Sequence, residues 1–97
     1  MSSRYTVYML RCADGSLYTG ITVDLERRLA AHAAGTASRY TRARRPVALA
    51  WSRGRQPPTD ARRLEYALKQ LTRTEKLALV GGDDGVWRRL RRRVLGR

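Results

Sequence analysis

Two short apolar runs, residues 5–11 and 17–22, flank Asp14-Gly15 near the start of the chain. Runs of this length, rich in Val, Ile, Thr and Tyr and separated by a turn dipeptide, predict the arms of a β-hairpin. The period then changes. In residues 22–35, "TVDLERRLAAHAAG", Leu25, Leu29 and Ala33 fall on one helical face. Thr22 or Asp24 can cap that helix, and Gly35 ends it. Residues 36–46 are polar, basic and aperiodic, and predict a loop. "VALAWSR" at 47–53 predicts a third strand, and "GRQPP" at 54–58 reads as punctuation. Leu64, Leu68 and Leu71 predict a helix over 59–71. "TRTE" at 72–75 fits a capping box and opens a helix that stops at Gly81-Gly82. In residues 86–95, Val86, Leu90 and Val94 form an apolar stripe with Arg88, Arg89, Arg91, Arg92 and Arg93 around it. The predicted order is β-β-α-β-α-α-α. No repeat, low-complexity stretch or linker divides the chain, so residues 1–97 are expected to form a single domain.

The hairpin has two registers open to it. A two-residue type I′ turn at Asp14-Gly15 pairs Ala13 with Ser16, sets Tyr18 opposite Arg11 and puts Tyr8 on the other face. A three-residue loop, Ala13-Asp14-Gly15 with Gly15 left-handed, pairs Leu10 with Tyr18 and Tyr8 with Gly20. Tyr8 and Tyr18 then share a face, and Gly20 leaves space beside Tyr8. The sequence permits both. Tyrosine recurs on both arms in a chain that has no phenylalanine, which raises the question of whether the phenol oxygens are wanted.

Charge changes the picture most. Lys and Arg number 21 against 8 Asp and Glu, a formal net charge of +13, and all of the cations but Lys69 and Lys76 are Arg. A small domain this basic is expected to meet a polyanion, nucleic acid ahead of a membrane surface. No run of about 18 apolar residues predicts a membrane span. "MSSRYTVYML" does not read as a signal peptide. Cys12, the one cysteine, excludes an internal disulfide and a cysteine-based zinc cluster. A cytoplasmic protein is expected.

"TVY" at residues 6–8 is followed ten residues on by "YTG" at 18–20, and the chain continues "ITVDLERRLAAHAAG", "SRYTRARRP" and "RRLEYALKQLTRTEK". Over about residues 4–80 this run resembles the GIY-YIG nucleases, in particular their small stand-alone bacterial members. The resemblance implies an α/β fold of the α+β type, with a small three-stranded antiparallel sheet flanked by helices; the basic C-terminal helix expected at about 84–95 lies beyond the stretch it covers. It also implies divalent-metal-dependent cleavage of phosphodiester bonds in DNA, ahead of RNA, by a protein expected to be a monomer. Structure- or damage-directed cutting with little sequence preference is the expected mode. The competing expectation is a non-catalytic nucleic-acid-binding domain on a decayed scaffold.

Position by position, Tyr8 and Tyr18 match the tyrosines of the two motifs, which in the family surround the nucleophilic water. Arg28 stands where the family places its catalytic arginine, and His32 where several members have His or Tyr. Glu65 matches the helical glutamate that ligates one Mg²⁺ or Mn²⁺. Arg39, Tyr40, Arg42, Arg44 and Arg45 in the basic segment, with Lys69, Arg88 and Arg92, are the candidate nucleic-acid contacts. Many family members carry an asparagine after the glutamate; this chain has none.

The chemistry needs these residue types. Mg²⁺ takes hard anionic oxygens, usually one or two carboxylates, and keeps several waters. Arginine is always charged and forks two donors onto a phosphate. A free phenol, with pKa about 10, is ionised roughly once in a thousand molecules at pH 7, so a base role for Tyr8 or Tyr18 needs help from Arg28, a metal or a relay through His32. Arg28 and His32 stand at i and i+4 and can reach one spot. Glu65 and Lys69 also form a favourable i,i+4 pair, which by itself explains both residues.

Overall fold

The structure, a computed structural model, describes residues 3–97. Met1 and Ser2, where the segment read as carrying no leader begins, lie outside the described residues. The elements are β1 (Tyr5–Arg11), β2 (Leu17–Thr22), α1 (Leu25–Ala34), α2 (Arg39–Arg42), β3 (Ala48–Gln56), α3 (Pro58–Gln70), α4 (Arg73–Val80) and α5 (Asp84–Leu95). The sheet is three-stranded and antiparallel, in the order β2-β1-β3. Helices flank it on both faces, as expected.

Three local predictions need correction. Residues 36–46 are not all loop, because Ser38 accepts a hydrogen bond from the Thr41 amide and starts the single turn α2. The third strand does not stop at Arg53. Between the pairs Tyr5–Gln56 and Val7–Arg53 the partner strand spends two residues against one, and Arg55 takes φ 62°, so a β-bulge absorbs Gly54-Arg55 and the ladder continues. On α1 the residue buried with the face of Leu25 and Leu29 is His32, whereas Ala33 is exposed.

The hairpin adopts the three-residue loop. The Cys12 amide donates to the Ser16 carbonyl at 2.9 Å, and Gly15 sits at φ 84°. Asp14 holds the loop by accepting from the Ser16 amide and hydroxyl. The register Leu10–Tyr18 and Tyr8–Gly20 follows. Because side chains alternate, Val7, Met9, Thr19 and Ile21 face one way, and Tyr8, Leu10, Tyr18 and Gly20 face the other.

The first face carries the main core. Val7, Met9 and Trp51 pack with Ala61, Leu64, Leu68, Leu79, Val86, Trp87 and Leu90 from α3, α4 and α5. Thr72 and Glu75 make both bonds of the capping box that opens α4. The second face is covered by α1 and α2, whose buried residues, His32 and Thr41, are polar. Burying polar side chains is costly unless they are hydrogen-bonded, so their partners decide what this face is for. No helix of the described residues is long and apolar enough to cross a membrane.

Candidate active site

His32 and Thr41 solve their burial together with Tyr8. The Tyr8 hydroxyl lies 2.9 Å from His32 Nε2, and His32 Nδ1 lies 2.8 Å from Thr41 Oγ1. Thr41 Oγ1 is within 3.0 Å of Ser38 Oγ and can donate to the Ser38 carbonyl at 3.4 Å. A hydroxyl that donates onward to a carbonyl must accept from the imidazole. That direction puts the His32 proton on Nδ1 and leaves Nε2 to accept from the Tyr8 hydroxyl. With Thr41 donating to the Ser38 carbonyl, the bonds run one way, from Tyr8 through His32 and Thr41 to the backbone of α2.

Tyr8 is 2% exposed and its ring lies over Gly20. An added Cβ at Gly20 would stand 2.6 Å from the Tyr8 oxygen and 2.7 Å from Cζ, so the motif glycine is the slot the phenol occupies. Burial pushes the Tyr8 phenol up to about 12; neighbouring Tyr18 and the Glu65 carboxylate act in the same direction, and Arg28 opposes them. Tyr8 is therefore protonated at neutral pH and works as a hydrogen-bond donor, not as a standing phenolate. Arg28 and Glu65 both act on the same phenol. Burial lowers the proton affinity of His32, and Arg28, one turn earlier, lowers it further.

Tyr18 meets His32 edge-on with ring centroids 5.3 Å apart and stacks on Tyr40 at 5.9 Å. Arg44 lies over the ring of Tyr40, 3.7 Å from its centroid. The Arg44 guanidinium donates to Asp14 at 3.0 Å and to the Tyr40 carbonyl. The hairpin loop thus clamps a column of Arg44, Tyr40 and Tyr18. Arg45 donates to the carbonyls of Arg42 and Ala33. Of the basic segment's candidates, Arg39 and Arg42 remain exposed, with no acidic partner among the described residues. Lys69 pairs with Glu65 at 3.4 Å. Arg88 and Arg92 line a pocket on α5, in the helical layer over the opposite sheet face.

The structure therefore brings Tyr8, Tyr18, His32 and Tyr40 into contact, sets Arg28 and Glu65 where their charges act on the Tyr8 phenol, and leaves Arg88 and Arg92 elsewhere. Thr41, Ser38 and Asp14 were not legible as site residues. Ser38 three residues before Thr41 is a recognisable helix-start pattern, but nothing local marks Thr41 as buried or pairs Asp14 with Arg44, 30 residues away.

Among the described residues no cluster of three or more His, Cys, Asp or Glu side chains exists. Glu65 is the carboxylate that acts on Tyr8, and its side chain is 25% exposed. One partly open carboxylate does not build an all-protein cage. It does fit Mg²⁺, which keeps waters and shares its shell with substrate phosphate.

The buried neutral His32 has a consequence in solution. The unfolded chain takes up a proton on its one histidine near the ordinary value of about 6.5, and the folded protein resists that uptake. Stability present above about pH 6.5 is expected to drain away as pH falls through the lower folded value. Melting temperatures between about pH 7.5 and 5 should fall less steeply for His32→Gln than for wild type. Parallel curves would mean that His32 is not held neutral.

A profile described as the GIY-YIG catalytic domain matches residues 4–78. A UPF0213 protein of Halobacterium salinarum is 47% identical over 73 residues, 75% of this chain and 95% of the relative. A UPF0213 protein of Natronomonas pharaonis is 41% identical over 85 residues, 88% of this chain and all of the relative. Among solved structures, the solution NMR structure of a UPF0213 protein from Bacillus halodurans is similar at a TM-score of 0.54. It shares 38% identity and covers 92% of this chain and 95% of its own.

Proposed function

The chain belongs to the GIY-YIG nuclease family, and from that premise we propose that it is a divalent-metal-dependent endonuclease hydrolysing phosphodiester bonds in DNA. The observation that carries the reading is the buried Tyr8–His32 bond, with Tyr18 against the same imidazole and the charges of Arg28 and Glu65 acting on the same phenol. A phenol that only filled space would need no imidazole partner.

Arg28 binds the scissile phosphate and opposes its charge. Tyr8 donates to His32, which leaves the lone pairs of its oxygen free to accept from the attacking water. As the water gives a proton to the Tyr8 oxygen, the phenol's own proton passes to His32 Nε2. No free phenolate forms, which matches a phenol pushed up to about 12. A phosphate paired with Arg28 cancels part of the charge that depresses His32, so substrate binding itself makes the relay more basic. Tyr18, held by Tyr40, walls the other side of the water. Glu65 would hold the metal, which supplies positive charge to the crowded phosphate oxygens and the leaving oxygen when bound.

Exposed Arg39 and Arg42 on α2 make phosphate contacts, and such contacts position a substrate without reading its sequence. Little sequence preference follows, with the shape or damage of the substrate as the selector. The Lys69–Glu65 pair favours one competing reading, a non-catalytic nucleic-acid-binding domain, because that pair neutralises the carboxylate without a metal. Purified protein incubated with plasmid, branched and single-stranded DNA and with matched RNA, in Mg²⁺, Mn²⁺ or EDTA, separates the two. Metal-dependent nicking of at least one DNA form is expected. Binding without cleavage of any substrate in either metal would leave only the binding domain.

A further inference from the structure

On a face of α3 next to that of Glu65 the chain carries a second feature that the site above does not use. An open groove of about 530 Å³ runs between α3 and α5. Ala67 and Val94 supply its apolar floor, and Arg62, Arg63 and Arg93 line its walls. Tyr66 projects into it and is 70% exposed, the most open large apolar side chain among the described residues. Neither face of the Tyr66 ring is taken by an aromatic or cationic neighbour among the described residues. Arg63 is engaged with the Val94 carbonyl at the end of α5. Arg62 and Arg93 form no ion pair among the described residues. Asp60 is committed to Arg97 and Glu65 to Lys69, while Glu75, held in the capping box of α4, has Arg93 and Arg89 beside it.

We propose that this groove is a second nucleic-acid contact, in which the Tyr66 ring stacks on an unpaired base while Arg62 and Arg93 hold the flanking phosphates. Charge decides the occupant's sign: three guanidinium groups lining one groove in a chain of net charge +13 call for a polyanion. The open ring decides its form. A base offers a π-face only when it is out of a duplex stack, and aromatic platforms beside basic grooves are how single strands are held without sequence choice. Position links the groove to the chemistry. Tyr66 follows Glu65 directly, and successive helical residues point about 100° apart, so one side chain serves the candidate site and the next serves the groove. A strand lying across α3 would touch both. The proposal rests on the nucleic-acid reading of the chain but not on its catalysis.

The test is binding in EDTA, where no cleavage intervenes. The probe is a fluorescein-labelled oligothymidylate of about a dozen nucleotides, long enough for one small site. Tyr66→Ala should weaken its affinity roughly 5- to 150-fold, the range that base stacking gives on alanine substitution. Tyr66→Phe keeps the π-face and should stay close to wild type. Arg62→Ala with Arg93→Ala should flatten the salt dependence by about 1.4 in slope, at about 0.7 per phosphate on a single strand. A duplex probe should respond to the arginines and not to Tyr66. Wild type that ignores the oligothymidylate, or Tyr66→Ala that binds it as tightly as wild type, overturns the proposal. Poly-glutamate displacing the probe at equal charge concentration would assign the groove to an acidic protein and overturn it too. A protein that never cuts but shows the Tyr66 effect keeps the groove and loses only the nuclease, so the two failures are distinguishable.

Discussion

Gly20→Ala should cost this protein more stability than a single methyl group at a strand position ordinarily does. The added Cβ would stand 2.6 Å from the Tyr8 oxygen and 2.7 Å from Cζ, closer than such atoms approach. Neither partner can easily yield. Gly20 is buried and paired with Tyr8 in the β1–β2 ladder, and the Tyr8 ring is rigid, buried and tied to His32. Overpacking of this kind costs about 1–3 kcal/mol. Turning the ring away to relieve it leaves a buried imidazole nitrogen without its donor, which costs about 1–3 kcal/mol in place of the clash. For a domain of this size either cost corresponds to a fall in melting temperature of roughly 5–15 °C. The diagnostic measurement is a double-mutant cycle with Tyr8→Phe. The phenylalanine removes the nearest clashing atom and has no hydrogen bond to lose, so Gly20→Ala should be milder in that background. Equal penalties in both backgrounds would mean that the phenol does not occupy the glycine's slot. Cleavage, where measurable, should fall in Gly20→Ala even at temperatures where the variant is folded, because the Tyr8–His32 bond is what the clash breaks.

How much of this was legible beforehand varies with the range of the interaction that sets each feature. The hairpin, the capping box of α4 and the leucine stripe of α3 are written in residues three or four apart, and they were readable. The loop register was not, because Asp14-Gly15 suits both two- and three-residue turns. Asp14 bonding to Ser16 and to Arg44 accompanies the choice of the longer loop, and the second of those contacts spans 30 residues. The end of β3 was misread for a related reason. Gly-Arg before Pro-Pro is local punctuation, yet pairing with β1 overrides it through a bulge. The residues at the site came from motif spacing, while their wiring came only with the fold. Arginine content marked Arg44 and Arg45 as phosphate contacts, but composition cannot show that one guanidinium is stacked on Tyr40 and paired with Asp14 while the other is spent on backbone carbonyls. Thr41 sat unseen in a basic, polar stretch because its burial depends on His32 lying over the sheet.

Glu65→Gln should separate enzyme from binder most sharply. The substitution keeps the length and shape of the side chain and removes its charge. As a purely structural residue, Glu65 contributes a part-exposed i,i+4 pair with Lys69 at 3.4 Å, worth a few tenths of a kcal/mol. The melting temperature should therefore hardly move. As the metal ligand, Glu65 is the anionic group of a shell otherwise filled by water and phosphate, and a neutral amide does not replace it. Mn²⁺ binding followed by electron paramagnetic resonance or calorimetry, with no substrate cut, should be lost in Glu65→Gln. Lys69→Met should tighten it, since the ammonium competes for the same carboxylate. Cleavage should fall by orders of magnitude, because the metal's charge stabilisation contributes several kcal/mol and each 1.4 kcal/mol or so is tenfold in rate. Binding of DNA in EDTA should persist or tighten slightly, one negative charge having left the neighbourhood of the phosphate. A Glu65→Gln protein that binds Mn²⁺ and nicks like wild type would falsify the ligand assignment. If the variant loses Mn²⁺ while neither protein cuts anything, Glu65 is a cation site on a scaffold that binds nucleic acid without cleaving it. Unchanged stability together with lost metal and lost cleavage is the one combination that a surface ion pair cannot produce.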